Sequence, residues 1–298
     1  MKTLRDIGED ALITRLIRLV PRGENPAAGP GDDCAVIDDG GPNLLLLKTD
    51  ALVENVHFLP SAPARSVGWK AAARVISDFA AMGGRPEQFL ITVALSPETS
   101  IEWVEELYRG IGDCLREFGG LLAGGETSSV PCGSAAVISV AATGSVSREQ
   151  LILRSTGKPG DAVMVTGNLG GSLHGKHLAF TPRLHETNWL TATFKPTAMM
   201  DLSDGLAKDL TRLAAASGCG FTLDKSALPI SPGCTPAQAL TDGEDFEILF
   251  TLQAELVPEL LDAWPFLDLP LTCIGGLVKS GEGISLTGGW EHFSPPAL

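Results

Sequence analysis

The stretch Met200-Asp201-Leu202-Ser203-Asp204-Gly205-Leu206-Ala207-Lys208-Asp209-Leu210 sets two carboxylates and a hydroxyl just before an apolar run. Leu206, Leu210, Leu213 and Ala214 recur at helical spacing, so a helix begins here and Ser203 or Asp204 is placed to cap it. Acids at that point also complement the helix dipole. A second chemistry is open to them. Mg2+ takes oxygen ligands and is commonly shared between carboxylates and substrate phosphates. One acidic turn does not hold several ions, so this reading needs acids from elsewhere in the chain. Asp33, Asp50, Asp78 and Glu126 qualify, because each lies at an expected turn or element end beside Gly, Ser or Thr. Carboxylates gathered without a cation would repel one another and raise their pKa values. Spacing alone leaves both readings open, since each acid taken singly also serves as a cap or a solvated turn residue.

The elements that must position these residues alternate strand and helix. Residues 9–20 carry Leu12, Ile13, Leu16, Ile17, Leu19 and Val20 on one helical face, and Pro21 ends the helix. Residues 22–30, rich in Gly, Pro and Ala, read as a flexible loop. An acidic turn at 31–33 enters a strand at 35–37. Residues 43–50 form a buried strand ending on Thr49 and Asp50, and strand ends are where α/β proteins display chemistry. A long helix over 64–82 is closed by Gly83-Gly84. Asp78 near its end opposes the dipole, so a cation, a salt bridge or an exposed position must offset it. A strand at 89–95, a helix at 100–118, a short strand at 121–123 followed by a turn at 124–127, and a strand at 135–144 complete the first half. A polar turn at 154–161 marks a boundary. The second half offers strands at 162–167, 221–223, 247–252, 271–274 and 284–286, and helices after 205 and over 254–263.

The chain has 298 residues, which suggests two domains, here 1–148 and 149–298, of α/β (α+β) class. A net charge of −14 argues against nucleic acid and anionic membrane surfaces as partners. Six scattered cysteines without a C-x-x-C pair argue against a zinc site or a disulfide scaffold and suit a reducing cytoplasm. The N-terminus has no signal-peptide core, and no apolar run is long enough to span a bilayer. Gly170-Gly171-Ser172-Leu173-His174-Gly175-Lys176-His177 nearly matches a P-loop, but His177 stands where Ser or Thr would hold Mg2+. With no Walker B strand to pair with it, the stretch reads as an ordinary strand–loop–helix turn with amides open to phosphate.

Seven motifs in order carry a resemblance over nearly the whole chain. They are Gly31-Asp32-Asp33-Cys34-Ala35-Val36, Lys48-Thr49-Asp50 with His57-Phe58, Ser77-Asp78-Phe79-Ala80-Ala81-Met82-Gly83, Gly124-Gly125-Glu126-Thr127, Arg154-Ser155 with Lys158-Pro159-Gly160-Asp161, Asp201-Leu202-Ser203-Asp204-Gly205, and Gly243-Glu244-Asp245-Phe246-Glu247. This order resembles the thiamine-monophosphate kinase family, within the superfamily of aminoimidazole ribonucleotide synthetase and selenophosphate synthetase. The resemblance implies a two-domain fold. Its N-terminal domain would form half of a dimer-wide β barrel, with a C-terminal α/β domain beside it. It implies a homodimer that uses ATP to phosphorylate thiamine monophosphate to thiamine diphosphate, with several Mg2+ ions and K+ as a further candidate cation. By position, Asp33, Thr49, Asp50, Asp78, Glu126, Asp201 and Asp204 would be metal ligands. Gly125, Glu126, Arg154, Ser203 and Tyr108 would serve ATP, and His57, Glu244 and Trp290 the substrate. Trp290 also fits a packed surface aromatic. Arg154 would stabilise phosphate charge, and the acceptor, already an anionic phosphate oxygen, needs no general base.

The chain departs from that family at several places. Glu126 stands for the usual Asp, and Lys48 for the Ser or Thr before the Thr-Asp pair. Asp242 replaces a glycine, and 178–195 is short. Two alternatives follow. A selenophosphate synthetase-like enzyme would want a reactive cysteine near the N-terminus, and residues 1–30 contain none. A catalytically drifted homologue would bind nucleotide without turnover.

Overall fold

The computed structural model describes residues 2–21 and 26–293. Among them are two β-sheets and seven α-helices. Helix α1 (Glu9–Ile17) leads into strands β1 (Pro26–Ala28), β2 (Ala35–Ile37) and β3 (Asn43–Val53). Helix α2 (Ala64–Ala81), β4 (Arg85–Leu95), α3 (Ile101–Phe118), β5 (Leu121–Ser129) and β6 (Val137–Ser147) follow. These strands form the first sheet in the order β1-β2-β3-β6-β4-β5. All neighbours are antiparallel except β4 and β5, which the α3 crossover makes parallel. The second sheet, ordered β8-β10-β7-β11-β9, is antiparallel throughout. It contains β7 (Asp161–Thr166), β8 (Ala198–Asp201), β9 (Cys219–Leu223), β10 (Ile248–Gln253) and β11 (Leu271–Lys279). Its helices are α4 (Leu184–Thr193), α5 (Leu206–Ala216), α6 (Pro236–Thr241) and α7 (Val257–Ala263).

Alternation in β3, β4 and β6 gives the first sheet one covered face. Helix α2 lies there with Val67, Ile76 and Phe79 fully buried, each contributing about 1.5–3 kcal/mol of apolar burial. Helices α2 and α3 touch backbone to backbone. A Cβ at Gly68 would lie 1.9 Å from the Leu107 carbonyl, and one at Gly110 1.8 Å from that of Arg65. Only glycine permits this approach, which draws α2 deep into the fold, where it also meets α4 and β8.

Several expectations change. Helix α1 ends at Ile17, four residues before Pro21, and none of its residues is buried, so its apolar face is not core. Within 22–30, residues 22–25 lie outside the described residues, and 26–28 form β1 instead of loop. Strand β3 continues to Val53, so Thr49 and Asp50 sit inside a ladder with β6, not at a strand end. The glycines at 124–125 do not turn; β5 continues through them beside β4, with a register shift at Ala123. A Cβ at Gly125 would lie 2.0 Å from the Ile91 carbonyl, so these glycines allow close strand packing. Residues 284–286 form no strand; Ile284 N donates to the Phe221 carbonyl within a loop containing Gly281 and Gly283 at positive φ. No helix among the described residues is long and apolar enough to cross a membrane.

Candidate active site

Three acids from three elements meet in the interior. Asp33 precedes β2, Asp78 lies in the last turn of α2, and Asp201 ends β8. Each offers an oxygen within 4.8 Å of the others, and all three are buried. Burial, then the charge of Asp33, pushes Asp201 up to about 6. Burial likewise raises Asp78 well above the usual carboxylate range, against the pull of Lys48. The cations facing them are specific. Arg154 Nε and Nη2 grip Asp33 at 3.0 and 2.5 Å. Lys48 Nζ lies 2.7 Å from Asp78 Oδ1, which supplies the partner that Asp78 needs near a helix C-terminus. Ser77 Oγ donates to Asp201 Oδ2 at 2.7 Å. Such an oxygen set suits a hard divalent cation.

Asp50 shares the covered side of β3 with Lys48 and pairs with Arg74 at 3.0 Å. Thr49 is exposed on the opposite side, with Leu47, because successive side chains of a strand alternate. Its hydroxyl therefore does not join the carboxylate group. Gly125 and Glu126 lie on β5, exposed along its whole length, and Tyr108 packs on α3 against the core. Neither Glu126 nor Tyr108 is brought into the carboxylate group or the adjoining cleft.

That cleft, about 100 Å³, adjoins the second acidic step of the 200–210 stretch. Ser203, Asp204, His57, Glu244, Trp290 and Arg74 are in its wall. The expected caps do not form. Helix α5 starts after Gly205 with no side-chain cap, and the amides of Ser203 and Asp204 instead donate to Asp209 Oδ2 at 3.1 and 2.9 Å. Asp209 is fully buried, and burial raises it to about 8. It fixes the turn, leaving Asp204 to pair with Arg212 at 2.6 Å and Lys208 at 3.2 Å. The backbone N–H of Trp290 donates to the Asp204 carbonyl at 2.8 Å, and the residue is 44% exposed at the cleft wall. Trp290, His292 and His57 form a run of ring contacts at 5.8 and 5.9 Å. His57 Nδ1 accepts from Val53 N at 3.0 Å, which puts its proton on Nε2. Burial and then Arg74 lower it to about 4, so the ring is neutral at pH 7.

Sequence reasoning missed Asp32, Lys70, Arg74, His177, Asp209 and His292. Asp32 accepts from Arg154 N, and burial, then Asp33, raises it to about 6. The Gly-rich stretch proves to be no phosphate cradle. Gly170 N and Gly171 N are taken by Asp245 and Asp242, and Lys176 pairs with buried Glu247 at 2.9 Å. Two short 3-10 turns, at Ser172–His174 and Lys176–Leu178, stand within the stretch in place of the expected helix. Asp242, the departure from glycine, thus has a structural role.

Residues 31–146, which include most of the first sheet, match the family described as AIR synthase related protein, N-terminal domain. A thiamine-monophosphate kinase of Rhodopirellula baltica is 38% identical, covering 90% of this chain and 87% of its own. That of Escherichia coli K12 is 32% identical over 97% and 99%. The solved structure of AaThiL complexed with AMPPCP and TMP superposes with a TM-score of 0.86 at 30% identity, covering 98% of this chain and 99% of that one. The chain belongs to the thiamine-monophosphate kinase family.

Proposed function

We propose that this protein transfers the γ-phosphoryl group of ATP to thiamine monophosphate. One observation carries the reading: Asp201 belongs to the buried carboxylate group, and Asp204, three residues on, lines the aromatic cleft. A phosphate-handling end and a ring-binding end therefore adjoin through one turn. The relatives named above support the same reaction.

Asp33, Asp78 and Asp201 would hold Mg2+, with Asp50 and Asp204 close by, and the metal supplies charge neutralisation for the phosphates. Thr49 and Glu126 as ligands, and Gly125, Tyr108 and Ser203 as nucleotide contacts, rest on the family resemblance. Arg154 holds positive charge beside the group; burial alone would lower its pKa, but the Asp33 carboxylate outweighs this and raises it. An oxygen of the acceptor phosphate attacks the γ-phosphorus as its bond to the β-phosphate oxygen breaks, leaving ADP. The acceptor is already anionic, so no general base is required. His57, Glu244 and Trp290 line the place for the thiamine rings. Trp290 and neutral His57 offer flat faces to a thiazolium cation, and Glu244, held down at about 2, is its anionic neighbour.

A homodimer with two domains per chain, divided near residue 148, fits the open face of the first sheet. Strand β5 is exposed throughout, and Leu47, Leu90, Leu121 and Leu122 are exposed apolar residues on this sheet. An uncovered apolar edge of this kind invites a second sheet. A second copy would close it toward a barrel. Six free thiols suit a cytoplasmic setting. Purified protein with ATP, Mg2+ and thiamine monophosphate, followed by chromatography, should yield thiamine diphosphate and ADP. No product across varied Mg2+ and K+ would overturn the proposal.

A further inference from the structure

Lys70 is an unusual residue for its position. It lies in the second turn of α2 and is fully buried, with no exposure. A buried ammonium is unfavourable unless each proton finds an acceptor. Here all three do. Nζ lies 2.6 Å from the His57 carbonyl, 2.7 Å from Glu244 Oε2 and 2.8 Å from His177 Nδ1. The first two acceptors belong to two separate segments that line the cleft, the loop after β3 and the loop before β10. His177 Nδ1 also lies 3.1 Å from the same Glu244 oxygen.

The consequence falls on Glu244. Its backbone has φ +63, a conformation a non-glycine residue holds only when its surroundings fix it. Its Oε2 is engaged by Lys70. Among the described residues no hydrogen bond falls on Oε1, although the residue lines the cleft. A carboxylate free to rotate would present either oxygen. Pinned through one, it presents the other as a single acceptor of fixed position.

We propose that Lys70 is a positioning residue for substrate selection: by fixing Oε2 of Glu244 it leaves Oε1 as the one acceptor for an N–H donor on the substrate's ring. The inference rests on the proposed function and deepens it, since a pyrimidine amino group is such a donor. Lys70 itself touches no reacting atom. Its effect belongs to ring binding and not to the nucleotide, whose phosphates would lie at the Asp33, Asp78 and Asp201 end.

Calorimetry on the full-length protein tests this, with thiamine monophosphate and with AMPPCP–Mg2+ as separate probes. Lys70→Met should weaken thiamine monophosphate binding by about tenfold to a hundredfold, the range for a hydrogen bond to a charged group, and leave AMPPCP binding within about twofold. Lys70→Met strands a buried carboxylate and risks the fold. The double variant Lys70→Met/Glu244→Gln removes both charges and relieves that cost. Because Lys70 acts through Glu244, the double variant should match Glu244→Gln alone within about threefold. Wild-type affinity for thiamine monophosphate in Lys70→Met would overturn the inference. So would equal weakening of AMPPCP, or a double variant much weaker than Glu244→Gln. A wild-type protein that binds AMPPCP but not thiamine monophosphate would instead overturn the substrate assignment itself, and the inference with it.

Discussion

The buried carboxylate group makes a prediction that depends on sign as well as size. Asp201 sits with Asp33 and Asp78 within 4.8 Å, and burial, then Asp33, holds it at about 6 against an ordinary 3.8. Its folded pKa is raised, so between those values the native protein binds more protons than the unfolded chain. Stability from this group is therefore full at low pH and is lost as pH rises through about 6. A shift of roughly two units corresponds to about 3 kcal/mol in all, of which about 1 kcal/mol falls between pH 5 and pH 7.5. In EDTA the wild type should lose about 2–4 °C in Tm over that interval relative to Asp201→Asn, which has no proton to lose. Mg2+ should reverse the loss. At a hundred times its Kd it adds about 3 kcal/mol, or about 5–10 °C, at pH 7.5, and clearly less at pH 5, where it must displace protons. Asp201→Asn should show a much smaller Mg2+ effect at either pH. Thermal scans of both proteins with EDTA and with Mg2+ at the two pH values read all of this. Identical pH slopes in EDTA, or an Mg2+ shift equal at both pH values, would refute the argument.

Arg154→Lys keeps the charge but loses the two-point grip on Asp33, so turnover should fall by at least about tenfold in a coupled ADP assay while the protein stays folded by circular dichroism. Unchanged turnover would show that Arg154 is only a strut. Lys176→Met removes one of several partners of buried Glu247, with Arg183 and Thr166 remaining. It should cost about 1–3 kcal/mol in denaturant melts yet leave kcat/KM within about threefold. Complete loss of turnover in folded protein would revive the P-loop reading. Leu90→Asp with Leu121→Asp puts charge on the open sheet, where these side chains are 49% and 73% exposed. Sedimentation should show the proposed dimer in the wild type and a monomer in the variant, and an unchanged dimer would place the interface elsewhere.

Much of the fold was legible because the strong signals were local. The long helix ended where Gly83-Gly84 stopped it, and Ser100 capped α3 by accepting from Trp103 N. The failures have non-local causes. The apolar stripe of α1 joins no core: Leu12 and Ile17 are only half-buried, and Ile13 and Leu16 are exposed. Glycine at 124–125 ordinarily means a turn, and here it means two strands approaching closely. Thr49 and Asp50 looked like a strand end because the polar residues interrupt an apolar run; the pairing with β6 that carries β3 on to Val53 lies about ninety residues away in sequence.

The site divides along the same line. Its acids were visible because several carboxylates beside small residues are an unusual pattern for a structural chain, and three of them do meet. Two of the cations, Lys70 and Arg74, were not visible, since they look like ordinary polar positions in an alanine-rich helix until burial is known. Lys48 and Arg154 were visible, and they make the carboxylate group physically possible. In the carboxylate group three acids face two fixed cations, Lys48 and Arg154, both paired with them directly. Where the family has a neutral Ser or Thr, Lys48 brings a positive charge of its own, so the apo group carries less uncompensated charge. The acidic turn at Asp201–Gly205 thus does less capping than its sequence suggests, because Asp209 from inside the helix satisfies its amides. That transfer leaves the Asp201 and Asp204 side chains in the two adjoining sites, where a cap on either would have tied its oxygen to the helix.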